Sequence, residues 1–287
     1  MSDEFTIGEI CAGIGGFSRG FEEAGWRTAW QIELDDVNRA VLADQFPATR
    51  QYRDLRDWRT FNLGPARCLC AGFPCQDVSI LGSTRKDKSR TGLAGNRSGL
   101  FFEIMEIAGA LQPAWLVLEN VAGLLYSNDC EDFQTVIAEL SKRGYVGYAR
   151  VLDAQYFGVP QKRRRIFLVA GLGRFPHMDF LADAAAMESL PCSPNEAWIA
   201  KPGDSWAGFT LATPNKYKHQ NSRINISSEL FVAEEDGWDQ MVDRQRASEI
   251  HGFPCGLDAP NAEEAYAAGN AVPPPIARWI AEILKRS

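Results

Sequence analysis

Histidine is scarce in this chain, with 3 in 287 residues. Cysteine is present 7 times, an odd number at no regular spacing. Cys68 and Cys70 are one residue apart on an apolar stretch, which is poor spacing for zinc. Few histidines and scattered cysteines predict no metal centre and no disulfide framework, and they suit a reducing cytoplasm. Long hydrophobic runs are missing too: none approaches the roughly 18–20 residues of a membrane helix. The acidic start Met1-Ser2-Asp3-Glu4-Phe5 lacks a secretory pattern. Positive charge is in deficit, the formal net charge being −7. That balance argues mildly against a polyanionic partner, although binding depends on local patches rather than on the sum. No internal repeat or low-complexity tract is visible.

What is present suits a soluble globular protein: 45% apolar and 23% charged residues, in a chain long enough for one large or two modest domains. Thr6–Glu9 and Thr28–Ile32 read as strands, Phe17–Ala24 and Asp35–Gln45 as helices. The alternation continues to about Lys142 and predicts an α/β fold with a mainly parallel, doubly wound sheet. Tyr145–Leu152 and Arg165–Ala170 follow as a close pair of strands, expected to be antiparallel, so the sheet is mixed. Gly171–Gly208 carries Pro176, Pro191, Pro194 and Pro202 and has weak periodicity, which predicts a crossing into a second lobe. The expected division is therefore a main domain over residues 1–174, a small lobe over 175–242 and a returning segment over 243–287. Short strands are expected in the lobe at 209–211 and 229–232. Asp243–His251 and Ala271–Lys285 are expected to be helical, with prolines at the start of the last helix.

Chemistry-bearing residues gather where strands end. Cys68-Leu69-Cys70-Ala71-Gly72 leads into Phe73-Pro74-Cys75-Gln76, followed by a polar loop containing Ser79. A cysteine at the carboxyl end of a strand is where an α/β enzyme would place a nucleophile. The loop after it holds Arg85, Lys86, Lys88, Arg90 and Arg97 against Asp87 alone. Leu116-Val117-Leu118 delivers Glu119 and Asn120 to a second strand end, and Gln161-Lys162-Arg163-Arg164-Arg165 opens a third strand. A thiol, a carboxylate and a guanidinium together suit covalent attack on an electron-poor ring that the other two polarise.

A separate cluster suits a nucleoside-bearing cofactor. Cys11-Ala12-Gly13-Ile14-Gly15-Gly16 joins a strand to the helix that Phe17 opens, and its glycines let backbone approach a ligand. It is not the full Gly-x-Gly-x-x-Gly fingerprint. The next strand ends in Glu33-Leu34, with Asp35 and Asp36 behind, where an acid can hold ribose hydroxyls. Asp54-Leu55 closes the third strand region, where a carboxylate could accept from an adenine amino group.

Taken in order, the glycine turn at 11–17, Pro74-Cys75-Gln76, Glu119-Asn120-Val121, Gln161–Arg165 and Gly269-Asn270-Ala271-Val272-Pro273 resemble the cytosine-5 DNA methyltransferases. The resemblance covers about residues 6–174 and 246–287. It implies a Rossmann-like methyltransferase fold that binds S-adenosylmethionine, with the second lobe as a small target-recognition region. The glycine-turn residues Cys11, Ala12, Gly13, Gly15, Gly16 and Phe17 would face the cofactor. Glu33 and Leu34 would take its ribose side, Asp54 and Leu55 its adenine, and Pro74, Asn270 and Val272 would close the site. Many members have an aromatic where Cys11 stands, which implies a lost stacking contact. Glu249 replaces an arginine expected before Gly252-Phe253-Pro254.

On the base side, the resemblance implies that Cys75 adds to C6 of a flipped cytosine. Glu119 would meet N3 and the exocyclic amine, and Arg165 would hold O2. Arg163 would contact a phosphate or Glu119. Double-stranded DNA is the expected partner, met by Gln76, Ser79, the basic loop and Lys162. Lys216, Lys218 and Arg223 would join them from the recognition stretch. A monomer in a prokaryotic cytoplasm, host- or phage-encoded, is expected. So short a recognition region keeps tRNA open as the substrate, and a DNA-binding module without catalysis is a third reading.

Overall fold

A parallel strand pair starts the fold, set up by apolar residues on both faces. The computed structural model describes residues 5–73, 99–159, 163–181, 206–209, 231–234, 237–240 and 270–287. Strand β1 (Thr6–Ile10) is buried throughout. The helix α1 (Gly16–Glu23) carries the chain to β2 (Arg27–Ile32), and α2 (Asp36–Gln45) leads to the short β3 (Arg50–Tyr52). After β4 (Cys68–Gly72) come α3 (Leu100–Leu111), β5 (Trp115–Val121) and α4 (Glu131–Lys142). The hairpin-like pair β6 (Tyr145–Asp153) and β7 (Arg164–Leu172) completes the sheet. A last described helix, α5 (Pro274–Lys285), returns to it.

The sheet has seven strands in the order β3-β2-β1-β4-β5-β7-β6. Its first five are parallel, while β7 runs antiparallel to both β5 and β6. Chain order reverses between β1 and β4, so the carboxyl ends of these strands form a topological switch point, where ligands of open α/β sheets bind.

Two cores lie on the two faces. Ile7, Cys68, Cys70, Val117 and Phe167 face α1 and α5, whose Phe17, Phe21, Ile276 and Ile280 are buried against them. Ile10, Leu69, Ala71, Leu116 and Leu118 face α3 and α4. The alternation of β4 and β5 between these clusters follows from the two-residue period of a strand. Phe17 makes edge contacts with Phe21 and Phe167. Full burial of each such ring stabilises by about 1.5–3 kcal/mol, enough to fix α1 on the sheet.

Some expectations shift. The two short strands expected at 209–211 and 229–232 lie at Trp206–Phe209 and Phe231–Glu234, and a third, Gly237–Gln240, was not foreseen. They form an antiparallel sheet in the order of the third, second and first of these strands. The last helix begins at Pro274 rather than Ala271, because Pro273 precedes another proline and stays extended. The helix expected over 243–251 lies outside the described residues. No described helix is long and apolar enough to cross a membrane, and no metal-ligating cluster occurs among the described residues.

Candidate active site

The glycine turn after β1 is held open by backbone torsion. Cys11, Gly13 and Gly15 have φ of 53°, 55° and 85°. Gly15 N–H closes the turn on the Ala12 carbonyl at 2.8 Å, and Ala12 N–H reaches the Ile32 carbonyl at 3.1 Å. A side chain at Gly13 would meet nothing within 4 Å, so its backbone faces open space. Gly15 instead abuts Phe46 and Leu42, and a Cβ at Gly16 would overlap the Val272 carbonyl oxygen. The three glycines thus do different work: approach at 13, torsion and packing at 15, contact with the returning chain at 16.

Glu33 stands across this turn. Its carboxylate accepts from Gly13 N–H at 2.6 Å and from Asp35 N–H at 2.9 Å. Burial raises its pKa, against those hydrogen bonds. Asp35 turns away to cap α2, accepting from Val37 and Asn38 N–H, and Asp36 pairs with Arg39 and Arg53. Of the three acids, Glu33 alone addresses the turn. Leu34 beside it is half exposed.

Asp54 caps the 3-10 turn Leu55–Thr60, taking Arg56 N–H at 3.0 Å. That bond, first among the causes, lowers its pKa. Leu55 is buried in the α3 core and Phe17 in the α1 core, each at the end of a stretch expected to meet the cofactor. Each is an apolar side chain that finds more contact inside than at the surface. Cys11 is partly buried, and its thiol is pushed up to about 12 by burial, then by Glu33 and Glu9, which keeps it inert.

The base side is built on β4, β5 and β7. Gly72 ends β4, and a Cβ there would sit 3.4 Å from Glu119 Oε2 and 3.8 Å from Val272 Cγ2. Glu119 and Val272 thus both border the end of β4. Arg165 Nε lies 3.0 Å from Glu119 Oε1. Burial raises the Glu119 pKa, and Arg165 then Arg163 oppose it.

Arg163 is itself buried, and its Nη2 donates to the Asn270 and Ala271 carbonyls at 3.1 and 2.8 Å. Of the two partners expected for it, a phosphate or Glu119, Glu119 lies close enough for the two charges to interact. Burial lowers its pKa to about 9; Arg165 acts in the same direction and Glu119 opposes it.

Asn120, named above without a role, donates from Nδ2 to the Phe73 carbonyl at 3.2 Å. It anchors the last described residue before Pro74-Cys75. Glu9 is a second side chain that sequence reasoning passed over. A carboxylate inside an otherwise apolar first strand was its only signal. Pro74, Cys75, Gln76, Ser79, Arg85, Lys86, Lys88, Arg97, Lys162, Lys216, Lys218, Arg223, Glu249 and Gly269 lie outside the described residues.

The geometry thus joins the glycine turn, Glu33, Asn270–Val272, Glu119, Arg163 and Arg165 at one edge of the sheet. The family model for C-5 cytosine-specific DNA methylases matches residues 5–190. The chain belongs to this family. Among its relatives, the Type II methyltransferase M.HaeII of Haemophilus aegyptius is 33% identical over 187 residues, 65% of this chain and 56% of that protein. M.MspI of Moraxella sp. is 33% identical over 180 residues, 62% of this chain and 41% of that one. The matched stretch thus spans about half the length of these relatives. M.NlaX of Neisseria lactamica, at 29% identity, matches over 98% of this chain and 96% of its own. Two solved methylase-family structures share the fold. A prophage-encoded E. coli protein described as a DNA modification methyltransferase has a TM-score of 0.62 at 15% identity, covering 99% of both chains. The S. pombe Dnmt2 methyltransferase has 0.58 at 16% identity, covering 98% of both.

Proposed function

We propose that this C-5 cytosine methylase transfers a methyl group from S-adenosylmethionine to C5 of cytosine in double-stranded DNA. The Glu119–Arg165 pair beside Gly72 carries the reading. A buried carboxyl whose pKa burial raises and a guanidinium flank the strand end from which Cys75 follows in sequence. The relatives described as Type II methyltransferases support DNA as the substrate.

The open face of Gly13, the Glu33 carboxylate and the exposed Leu34 suit a nucleoside-bearing cofactor. When bound, S-adenosylmethionine supplies an electrophilic methyl group. Asn270 and Val272 would close the site, tied to it by Arg163 and by the contact with Gly16.

Cytosine C5 is too weak a nucleophile to take that methyl directly. Cys75 thiolate adds to C6, forming a carbon–sulfur bond and pushing the ring electrons towards C5. Glu119 shares a proton with N3 as charge builds there, and burial favours the protonated carboxyl this needs. Arg165 stabilises the developing charge on O2. After C5 takes the methyl, a base removes the C5 proton and the thiolate leaves from C6. Stacked bases bury C6, so the target must flip out, at about a few kcal/mol.

Transfer of labelled methyl from S-adenosylmethionine, measured on duplex DNA and tRNA side by side, tests the reading. Labelled 5-methylcytosine in DNA is the expected product. Label confined to tRNA would move the substrate, and none in either would leave a binding module.

A further inference from the structure

At the start of β7, Arg163 is buried and Arg165 holds Glu119, which leaves Arg164 without a part in the site. Strand alternation turns Arg164 to the opposite face from the other two, the face on which Ile166 packs with Leu124. It is exposed there. Arg164 pairs with no carboxylate among the described residues. Asp153, opposite it on β6, accepts from Arg163 N–H at 2.9 Å, and Glu119 is taken by Arg165. The Arg164 carbonyl accepts from Arg165 Nη1 at 2.9 Å, so its backbone is tied to the side chain that holds Glu119.

On the same face, β5 passes from Val121 into a 3-10 segment, Ala122–Cys130, that packs against β7. Val121 stands opposite Arg165, which sets Ala122 beside Arg164. Leu124 is buried and Leu125 partly buried in the α3 core. Beyond them, Ser127 Oγ donates to Asp132, which is buried in the first turn of α4. Tyr126 stands between these two anchors with 77% of its surface exposed. From Ala122 it is about 8 Å along a 3-10 path. An aromatic ring and a guanidinium thus border the carboxyl end of β5, close to the Glu119–Arg165 pair but on the other face of the sheet.

We propose that Tyr126 and Arg164 form an auxiliary DNA contact beside the target cytosine, with Arg164 on a phosphate and the Tyr126 ring on the face of an adjacent base. The proposal rests on the reading of this chain as a DNA methyltransferase. A guanidinium matches phosphate oxygens two at a time, and here no carboxylate competes for it. In a chain of net charge −7, such a cation at the rim of the site gives DNA a local attraction that the whole surface does not. Flipping a base out unstacks its neighbours, and an exposed ring on an anchored segment can take up a freed face whatever its sequence. The ring's exposure in water is then the cost of having it ready. Neither side chain lies on the Glu119 face, so both act on DNA binding and not on methyl transfer.

The test is binding of the full chain, with S-adenosylhomocysteine present, to a duplex that the wild type methylates, by fluorescence anisotropy over a range of salt. Arg164→Ala should flatten the plot of log affinity against log salt by about 0.9, the share of one phosphate. Tyr126→Ala should weaken binding about tenfold at unchanged slope, and Tyr126→Phe should restore it, because the contact is the ring face. Both side chains are exposed, so the variants should fold and bind S-adenosylhomocysteine as the wild type does. Single-turnover rates at saturating DNA should be unchanged. The same duplex carrying 5-iodouracil next to the methylated cytosine should photocrosslink to Tyr126. Wild-type affinity and slope in either alanine variant would overturn the paired contact, as would crosslinks confined to other residues. A loss of single-turnover rate with DNA affinity intact would overturn it too. A wild type that methylates no duplex would overturn the DNA reading itself, an outcome distinct from variants that match an active wild type.

Discussion

Glu119 and Arg165 meet diagonally across the antiparallel pair β5–β7. Glu119 stands opposite Phe167 and Val121 opposite Arg165, yet Arg165 Nε reaches back to Glu119 Oε1 at 3.0 Å. Residues two apart on a strand share a face, so Arg163, Arg165 and Phe167 all address the Glu119 side of the sheet. One face thus supplies a buried acid with two cations.

Removing that cation should act on rate and on pH dependence together. Arg165→Met takes away the largest influence opposing burial, so the Glu119 pKa should rise further. The reaction needs Glu119 protonated, so the alkaline limb of the pH–rate profile should move to higher pH. Single-turnover rates should fall by about 10²–10⁴ in Arg165→Met and in Glu119→Gln. A loss confined to DNA affinity would reassign both residues to binding.

Cys75 is expected to carry covalent catalysis. Cys75→Ser should abolish turnover and leave cofactor binding nearly unchanged. DNA containing 5-fluorocytosine should form a denaturation-resistant adduct with the wild type and none with the variant, because fluorine blocks the final proton loss. Full turnover by the serine enzyme would remove Cys75 from the mechanism.

Gly16 and Gly13 should respond differently to a methyl group. Gly16→Ala drives a Cβ into the Val272 carbonyl, backbone against backbone, and should lower folding stability by about 1–3 kcal/mol. Gly13→Ala finds open space but a left-handed φ of 55°, and should cost about 1–2 kcal/mol in strain. Only at Gly13 does the new methyl project into the proposed cofactor space. Cofactor affinity measured beside denaturant midpoints should therefore fall out of proportion to stability at position 13.

Neutralising Arg85, Lys86 and Lys88 together should weaken DNA binding and flatten its salt dependence by about 0.9 per lost phosphate contact. Cofactor affinity should not change, since Gly13 and Glu33 belong to another part of the chain. An unchanged salt slope would shift the phosphate contacts to Lys162 and to the stretch 216–223.

Folding stability should also report on Glu9. Its pKa is raised, from the usual 4.5 to about 7, so folding favours the protonated form. The stability it contributes is complete below pH 4.5 and is lost as pH rises through about 7. A tenfold change in proton affinity between the unfolded and folded chain corresponds to about 1.4 kcal/mol. Wild type should lose stability relative to Glu9→Gln over that window, as chemical denaturation at several pH values would show.

Most of the fold was legible in local pattern. β1, β2, β5 and the β6–β7 pair are apolar runs with clear ends, and Asp35 marks the start of α2 by its capping chemistry. The two short strands expected after residue 174 were misplaced by a few residues, because short strands near a proline-rich stretch carry little periodicity. Leu55 and Phe17 were assigned to a cofactor by motif position, and their burial in the two cores was not legible there. Arg163 was expected to contact a phosphate or Glu119, and the uniformly basic run Lys162–Arg165 gave no sign of its burial. Strand alternation and the returning chain put it inside.

The sequence by itself determined which chemistry could occur, since a thiol, an acid and a guanidinium at strand ends are properties of residue type and order. It also determined the alternating fold, because hydrophobic period is local. Tertiary structure decided which of several candidates converge. Glu33 rather than Asp35 addresses the turn, and Glu119 and Val272 both border Gly72 at the end of β4. Glu9 caps a helix that no neighbour in sequence could cap. Those choices depend on register between strands and on a segment more than 250 residues from the turn it contacts. No local pattern encodes a distance across a sheet.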